Sequence, residues 1–262
     1  MFKKTLIAGL ITGAFASAAM AADAPTPEHT LTGNVGVYSQ YIFRGLTQTN
    51  KNPALQGGFD YAHASGLYAG TWMSNISWLT DTPTATGYKG GSLEMDFYGG
   101  YKGSLGGDVG YDVGVLQYYY PGNFSSTTYT GTVKADTLEA YGALSWKWLS
   151  AKYSQSINKN TFGVSNSKNT YYLDLAATVP VTDSVNVVAH YGMQKYDGGT
   201  NDKYYSYNDW KVGATYTLPK DYSVGFYYTN TDMTNTQKAS YKNTLGTYMG
   251  KEAYTLFVSK TF

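Results

Sequence analysis

The sequence predicts an all-β fold, a transmembrane antiparallel β-barrel of about 12 strands (roughly 10 to 14). The chain contains 28 tyrosines, 30 glycines and 5 tryptophans, and its mean hydropathy is −0.34. No apolar stretch is long enough to cross a bilayer as a helix, yet many short segments alternate apolar and polar residues. Strands with one face on lipid and one on a polar lumen, with aromatic belts at both interfaces, have this composition.

The first 21 residues have the pattern of a secretory signal peptide. Lys3 and Lys4 precede an apolar run, and Ala19-Met20-Ala21 is a small-x-small cleavage site. Loss of this segment reduces 19 basic residues to 17, against 18 acidic residues, so no basic excess indicates nucleic acid as a partner. Cysteine is absent, which excludes disulfides, thiolate metal sites and thiol catalysis.

Residues 22–31 are predicted to form a periplasmic leader and residues 32–262 the barrel. Short links with turn residues alternate with long polar links rich in glycine, asparagine and threonine, which predicts short periplasmic turns and longer extracellular loops. A secreted β-sandwich also alternates apolar and polar residues but rarely has this rhythm of links. The predicted strands are 32–44, 53–62, 66–78, 91–102, 108–120, 136–147, 149–157, 169–179, 184–195, 207–218, 222–231 and 251–262.

The boundary at residues 147–150 is the weakest in this assignment. Lys147-Trp148-Leu149-Ser150 contains no glycine, asparagine or proline. Strands six and seven could therefore be one bent strand, which would reduce the total to about ten.

Successive side chains of a strand point to opposite faces, so each predicted strand has one face toward lipid and the other toward the lumen, an alternation with a period of 2 residues. In the first strand Val35, Val37, Tyr41 and Phe43 are predicted to face outward, and Asn34, Tyr38, Gln40 and Arg44 inward. The charged residues fall mostly on inner faces, as expected, because a lysine or arginine facing lipid at mid-depth costs ~2 to 4 kcal/mol. The residues predicted to line a pore are Arg44, Gln56, Asp60, Glu94, Asp96, Lys102, Glu139, Lys147, Lys152, Asp174, His190 and Lys211.

The last strand is predicted to close the barrel against the first. Tyr254, Leu256, Val258 and Phe262 share its apolar face. An open sheet edge in lipid would leave backbone groups without hydrogen-bond partners. A chain that stops on an aromatic residue resembles the closing strand of bacterial outer-membrane barrels, and this resemblance implies that Phe262 is part of the signal read by the barrel assembly machinery.

Several segments resemble one protein family specifically. They are residues 33–49 (GNVGVYSQYIFRGLTQT), 53–72 (PALQGGFDYAHASGLYAGTW), 146–153 (WKWLSAKY) and 259–262 (SKTF). Together they resemble the proteobacterial Gcw_chp or TorF-like family of outer-membrane porins. The resemblance implies a proteobacterial outer-membrane barrel and brings no established substrate or catalytic residue.

Arg44 is the only arginine in the chain. It could bind a carboxylate or phosphate solute, fold the first outer loop into the pore, or form an internal ion pair with a wall carboxylate, which we favour. Glu94, Asp96, Glu139 and Asp174 are expected at middle or outer heights, and Lys102, Lys147 and Lys152 near the periplasmic end. Such segregation could set ion preference, or the lysines could extend to the inner rim.

Asp174 and His190 are the weak candidates for catalysis. A hairpin centred near Thr182 would place them directly opposite each other with both side chains inward. Such a pair could supply a general base, but a wall-to-wall hydrogen bond is the commoner role. The sequence contains no nucleophile elbow, metal motif or phosphate loop, so no cofactor is predicted.

The sequence therefore predicts an outer-membrane porin, a passive diffusion channel for small hydrophilic solutes or ions through a narrow polar lumen. Its expected partners are outer-membrane lipid, the barrel assembly machinery and small solutes. The alternatives are an outer-membrane hydrolase using Asp174 and His190, and a closed barrel with a structural or surface-interaction role.

Overall fold

The computed structural model describes residues 27–81, 86–127 and 131–262. Within these residues twelve antiparallel strands close into a barrel, so the predicted fold class is confirmed. The predicted signal peptide and the first half of the predicted leader, residues 22–26, lie outside the described residues. No helix among the described residues is long and apolar enough to span a membrane.

The barrel strands follow one another around the wall in chain order, and the last strand pairs with the first. The barrel strands are His29–Tyr38 (β1), Ala54–His63 (β4), Leu67–Asn75 (β5), Leu93–Gly106 (β7), Val109–Tyr119 (β8), Thr137–Trp146 (β10), Leu149–Ser156 (β11), Tyr171–Pro180 (β12), Val185–Lys195 (β13), Tyr207–Leu218 (β14), Tyr222–Asp232 (β15) and Ala253–Thr261 (β16). Closure leaves no sheet edge in lipid, and the backbone of Phe262 continues the pairing by donating to the Gly33 carbonyl at 2.8 Å.

The links contain the remaining elements. Two small two-stranded sheets are separate from the barrel sheet: Ile42–Phe43 (β2) pairs with Leu46–Thr47 (β3) as a hairpin, and Tyr88–Lys89 (β6) pairs with Asn123–Phe124 (β9) from a different link. The helices are Trp78–Asp81 (α1), Gly199–Tyr205 (α2) and Asn235–Ser240 (α3), and a 3₁₀ turn covers Pro219–Asp221.

The largest differences from the predicted strand boundaries are in β1, β7 and β5, whereas the predicted break between β10 and β11 is confirmed. β1 begins three residues earlier than predicted and ends at Tyr38 rather than at residue 44. β7 runs on to Gly106 through a bulge, so the predicted turn at residues 103–107 shrinks to a tight turn in which Gly106 and Gly107 have positive φ angles. β5 starts at Leu67 and ends at Asn75, inside its predicted range of 66–78. β10 and β11 are separate strands joined by two residues, with Lys147 at φ 54°.

The outer face is an apolar band. Leu55, Phe59, Val113, Leu144 and Val258 are among the large hydrophobic side chains that remain exposed on it. A surface of this kind is stable only in lipid. The short links and the C-terminus lie at one end of the barrel and the long links at the other, the arrangement of bacterial barrels with periplasmic turns and extracellular loops. The protein is an outer-membrane barrel.

Candidate functional site

The link between β1 and β4, residues 39–53, folds into the barrel and is termed the lumenal loop here. Its centre is the β2–β3 hairpin, whose two turn residues, Arg44 and Gly45, have φ angles of 46° and 78°. Two successive positive φ angles are the mark of the type I′ turn, which suits the twist of a tight hairpin. A hairpin of two residues per strand is too short to be stable alone, so its surroundings hold it in place.

Arg44 lies at the tip of the lumenal loop and reaches the opposite wall. One terminal nitrogen of its guanidinium donates to both carboxylate oxygens of Glu139 on β10, at 2.7 and 3.0 Å, and the other donates to Gln194 Oε1 at 2.9 Å. On the way around the wall from β1 to β10, four strands intervene on one side and six on the other. The loop therefore crosses the lumen, and its arginine is buried in the ion pair.

Aromatic rings surround the Arg44 guanidinium. Its central carbon lies 4.3 Å from the ring centroid of Tyr172, 4.8 Å from that of Phe43 and 5.6 Å from that of Phe162. Rings of this kind attract a cation and exclude water, which strengthens the ion pair with Glu139. Phe162 belongs to the link between β11 and β12, so two loops meet inside the barrel at this point.

The predicted facing of Tyr41 and Phe43 is wrong. Both were assigned to lipid, but Tyr41 is buried and donates its hydroxyl to Glu94 at 2.6 Å, and Phe43 packs against Tyr118. Period 2 holds only while the chain remains in the wall, and the wall strand ends at Tyr38. Beyond that residue the lumenal loop turns both side chains into the barrel.

The extracellular half of the lumen is densely packed below the long loops. The side chains of Glu94, Asp96, Thr137 and Glu139 are each at most 2% exposed. Above them lies Tyr88, in the small β6–β9 sheet, and its hydroxyl accepts the Ala135 backbone N–H. Burial raises the pKa of Tyr88 to about 12. The loops therefore narrow the lumen strongly from the extracellular side.

Asp174, His190 and Asp209 form a contiguous group at mid-height, termed the carboxylate–histidine cluster here. His190 Nδ1 lies 2.8 Å from Asp174 Oδ1, and Nε2 lies 2.9 Å from Asp209 Oδ1. Tyr172 donates its hydroxyl to the second Asp209 oxygen at 2.8 Å. Each ring nitrogen therefore has a carboxylate oxygen as its partner, so that carboxylates engage the imidazole on both sides.

The predicted register of this hairpin is wrong by two residues. His190 pairs with Ala176, and Asp174 pairs with Gly192, so the two side chains are diagonal neighbours rather than directly opposite. The turn is centred one position later than predicted, because β12 continues to Pro180. Diagonal neighbours on one face are still within reach of long side chains, so the contact forms.

The periplasmic half of the lumen combines acids, tyrosines and lysines. Asp60 accepts the Tyr98 hydroxyl at 2.6 Å, and Asp112 accepts the Tyr68 hydroxyl at 2.5 Å. The lysines lie over aromatic rings: Lys102 over Tyr68 at 5.2 Å, Lys152 over Tyr141 at 3.9 Å and Lys211 over Tyr227 at 5.0 Å. This half is less tightly packed, because most of these side chains keep some exposure.

The predicted separation of acids from lysines along the barrel is found only in part, because Lys152 does not lie near the periplasmic end. Lys152 pairs in register with Asp174, and Lys211 pairs with His190, so both lysines lie at mid-height. Lys147 does not face the lumen, because it occupies the β10–β11 turn with its amine 5.0 Å from the ring of the exposed Trp146. Gln56 is buried inside the barrel, within hydrogen-bond distance of Ser74.

A cavity lies below the lumenal loop. The space within it that water molecules can occupy is about 140 Å³. The charged side chains that line it include Arg44, Asp96, Lys152, His190, Asp209 and Lys211. Seven of the twelve predicted pore residues therefore line one cavity, although they come from six different strands and a loop.

Two lumenal carboxylates, Asp112 and Asp209, are missing from the predicted set. Both follow from the same alternation, because Val113 and Val212 were assigned to lipid and their neighbours of opposite parity must face inward. Asp209 completes the carboxylate–histidine cluster. Its role depends on a contact between non-adjacent strands, β12 and β14, which no pattern within one strand reveals.

Solved structures with a similar fold are outer-membrane porins. One structure of the KdgM porin has a TM-score of 0.52 and 8% sequence identity, and the match covers 88% of this chain and 99% of that chain. A structure of the NanC porin has a TM-score of 0.51 and 14% identity, with the same two coverages. At these identities the likeness establishes the fold.

Comparison at the level of sequence identifies the family. No curated protein matches the chain significantly. Residues 21–262 match the family described as "Bacterial protein of unknown function (Gcw_chp)". The match confirms the predicted Gcw_chp resemblance but does not extend to the TorF-like name. Because it spans nearly the whole predicted mature chain, this outer-membrane barrel belongs to the Gcw_chp family.

Proposed function

We propose that the protein is a passive diffusion channel for small hydrophilic solutes or ions, with a path narrowed by the lumenal loop. The observation that carries this proposal is the polar cavity inside a closed barrel, lined by charged side chains from many strands. Buried charge on this scale is unfavourable unless water or a polar solute also occupies the space. A barrel serving only as a scaffold could fill its interior with apolar side chains, which would avoid the free-energy cost of removing charged groups from water.

Barrel width sets the expected size of the path. About 8 strands leave room only for packed side chains, whereas 16 strands leave a wide aqueous channel. The twelve strands found here among the described residues fall between these limits, and the lumenal loop and inward tyrosines occupy much of the space. We expect ions and small solutes to pass and oligosaccharides to be excluded. Charge preference should be modest and toward cations, because the lumenal carboxylates outnumber the lumenal lysines and Arg44, while several of them are already paired inside the barrel.

Single-channel recording in planar bilayers tests the proposal. The refolded protein should give discrete conductance steps, much smaller than those of a general 16-stranded porin. Liposome-swelling assays should show entry of monosaccharide-sized solutes and exclusion of oligosaccharides. A silent bilayer, with correctly folded protein present, would contradict the proposal and favour the closed barrel with a surface role.

The hydrolase alternative rests on the carboxylate–histidine cluster. Both nitrogens of His190 are engaged by carboxylates, so neither is free to accept a proton from a nucleophile. The third neighbour of the ring is the phenol of Tyr172. This arrangement supports a structural role in bracing three strands. Hydrolysis of esters or peptides that disappears in His190→Gln would reverse this preference.

A further inference from the structure

Two of the three histidines in the chain lie side by side at the periplasmic rim, far from the lumenal site. His29 at the start of β1 and His63 at the end of β4 are direct partners in the antiparallel ladder, and their ring centroids are 5.2 Å apart. Alternation places both on the outer face, with Leu31 and Phe59. Neither residue contributes to the proposed channel.

Glu28 joins the two histidines. One nitrogen of each ring and one carboxylate oxygen of Glu28 all lie within 4.8 Å of one another, and His63 Nε2 is 3.6 Å from Glu28 Oε1. In a tetrahedral site with bonds of about 2.0 to 2.1 Å, the ligand atoms are about 3.3 Å apart. Small rotations of these partly exposed side chains therefore suffice to bring all three ligands onto one ion.

One nitrogen of each ring already has a hydroxyl partner. His29 Nδ1 lies 2.8 Å from the Tyr61 hydroxyl, and His63 Nδ1 lies 2.7 Å from Ser65 Oγ. Histidines that bind metals usually donate their second N–H to such an oxygen, which fixes the orientation of the ring. The Ser65 backbone N–H also points at His63 Nδ1, at 3.1 Å. Metal on Nε2 would require Nδ1 to donate to Ser65 Oγ instead.

We propose that Glu28, His29 and His63 form a binding site for a divalent transition-metal ion such as Zn²⁺ or Cu²⁺. Two imidazoles and one carboxylate are a ligand set for these ions, and the fourth position is open to the periplasm. Magnesium and calcium are disfavoured, because they require oxygen ligands. The ion would fasten the start of β1 to the end of β4 at the rim, next to the predicted leader.

Metal titration of the outer-membrane form of the chain, extracted in detergent and free of any polyhistidine tag, tests the site. Isothermal titration with Zn²⁺ should show a single ion bound per chain. His29→Gln or His63→Gln should weaken binding by more than about 100-fold, whereas Tyr61→Phe, which removes only an outer-shell partner, should weaken it by about tenfold. Cu²⁺ should give an EPR spectrum with coupling to two imidazole nitrogens, reduced to one nitrogen in either histidine variant.

His190→Gln is the matched control, because it removes the third histidine without touching the rim. It should leave Zn²⁺ affinity unchanged, and heat-modifiable migration on gels shows whether each variant is folded. Binding that persists in both His29→Gln and His63→Gln, or no stoichiometric binding by the folded protein, would overturn the proposal. Channel recordings are independent of this result, since the rim site lies outside the lumen.

Discussion

At the scale of single residues, the Arg44–Glu139 pair holds the lumenal loop across the barrel. Glu139 is 1% exposed and Arg44 is nearly as inaccessible, so neither charge can be satisfied by bulk water if the other is removed. Breaking one partner of a buried pair typically costs about 3 to 5 kcal/mol. Removing either partner would destabilise the packed conformation of the lumenal loop, because Arg44 is part of this loop.

Replacing Arg44 by alanine should therefore release the lumenal loop and raise single-channel conductance. A locked arginine contributes little to the ion preference of the path, so the reversal potential should move less than the conductance. Lys147→Ala is the matched control, because it removes one positive charge from an exposed turn. Unchanged conductance in Arg44→Ala would show that the ion pair does not hold the constriction.

At the scale of elements, the tip of the lumenal loop is fitted closely to the wall. A Cβ atom on Gly45 would lie 2.6 Å from Asp209 Cβ and 2.7 Å from Thr231 Cγ2. Gly45 also has a φ of 78°, which disfavours any other residue. Gly107, in the β7–β8 turn, has a φ of 59° but no atom within 4 Å of its Cβ position.

The pair of variants Gly45→Ala and Gly107→Ala separates wall contact from backbone strain. Both carry the penalty of a positive φ, but only the first forces the lumenal loop away from β14 and β15. In single-channel recordings we expect larger or more frequent conductance steps for Gly45→Ala than for the wild type. Gly107→Ala should give the same recordings as the wild type. Equal behaviour of the two variants would mean that the contact with the wall does not position the loop.

Some glycines on the inner face leave room for tyrosine side chains from neighbouring strands. At Gly100 on β7 a Cβ would meet the Tyr68 hydroxyl at 2.6 Å and the backbone of β8, whereas Gly142, on the lipid-facing side of β10 with Leu144, has no atom within 4 Å of its Cβ position. We predict that Gly100→Ala destabilises the barrel by about 1 to 3 kcal/mol, as overpacking does. Gly142→Ala should be neutral or stabilising by about 0.5 to 1 kcal/mol. Urea unfolding in detergent micelles measures both, and the reverse order would contradict this account of the wall.

At the scale of the whole molecule, closure of the barrel makes two predictions. Each of the twelve barrel strands among the described residues is paired with a neighbour on both sides. The folded barrel should therefore resist SDS until it is heated. Boiled and unboiled samples from outer-membrane fractions should migrate differently on gels. Recovery in the soluble periplasmic fraction, without a migration shift, would contradict a membrane barrel.

Assembly is the second whole-molecule prediction. The Phe262 side chain is 69% exposed, so it adds little to packing, although its backbone extends the pairing of β16 with β1. If it is read as an assembly signal, Phe262→Ala should lower outer-membrane levels, whereas Phe262→Trp, which keeps an aromatic end, should preserve them. Equal levels of the two variants would show that the side chain carries no such signal.

Alternation along the chain was enough to predict the closed barrel, its twelve strands and the inward set around Glu94, Glu139 and His190. The reason is that lipid leaves little choice: each lipid-facing residue must be apolar, and no backbone edge can remain unpaired. Even the uncertain break at residues 147–150 was assigned correctly, because two apolar runs of strand length flank it.

The lumenal loop, by contrast, was decided by tertiary structure alone. The alternation of inward and outward residues predicts that Tyr41 and Phe43 face lipid. It fails there because alternation applies only to residues within a wall strand, and β1 ends at Tyr38. The partners of Arg44 lie about 95 and 150 positions away along the chain, and only barrel closure brings β10 and β13 within its reach. The same holds for Asp209, which accepts the Tyr172 hydroxyl across an intervening strand. Local sequence sets which face a side chain takes, whereas curvature of the closed sheet sets which inward side chains meet.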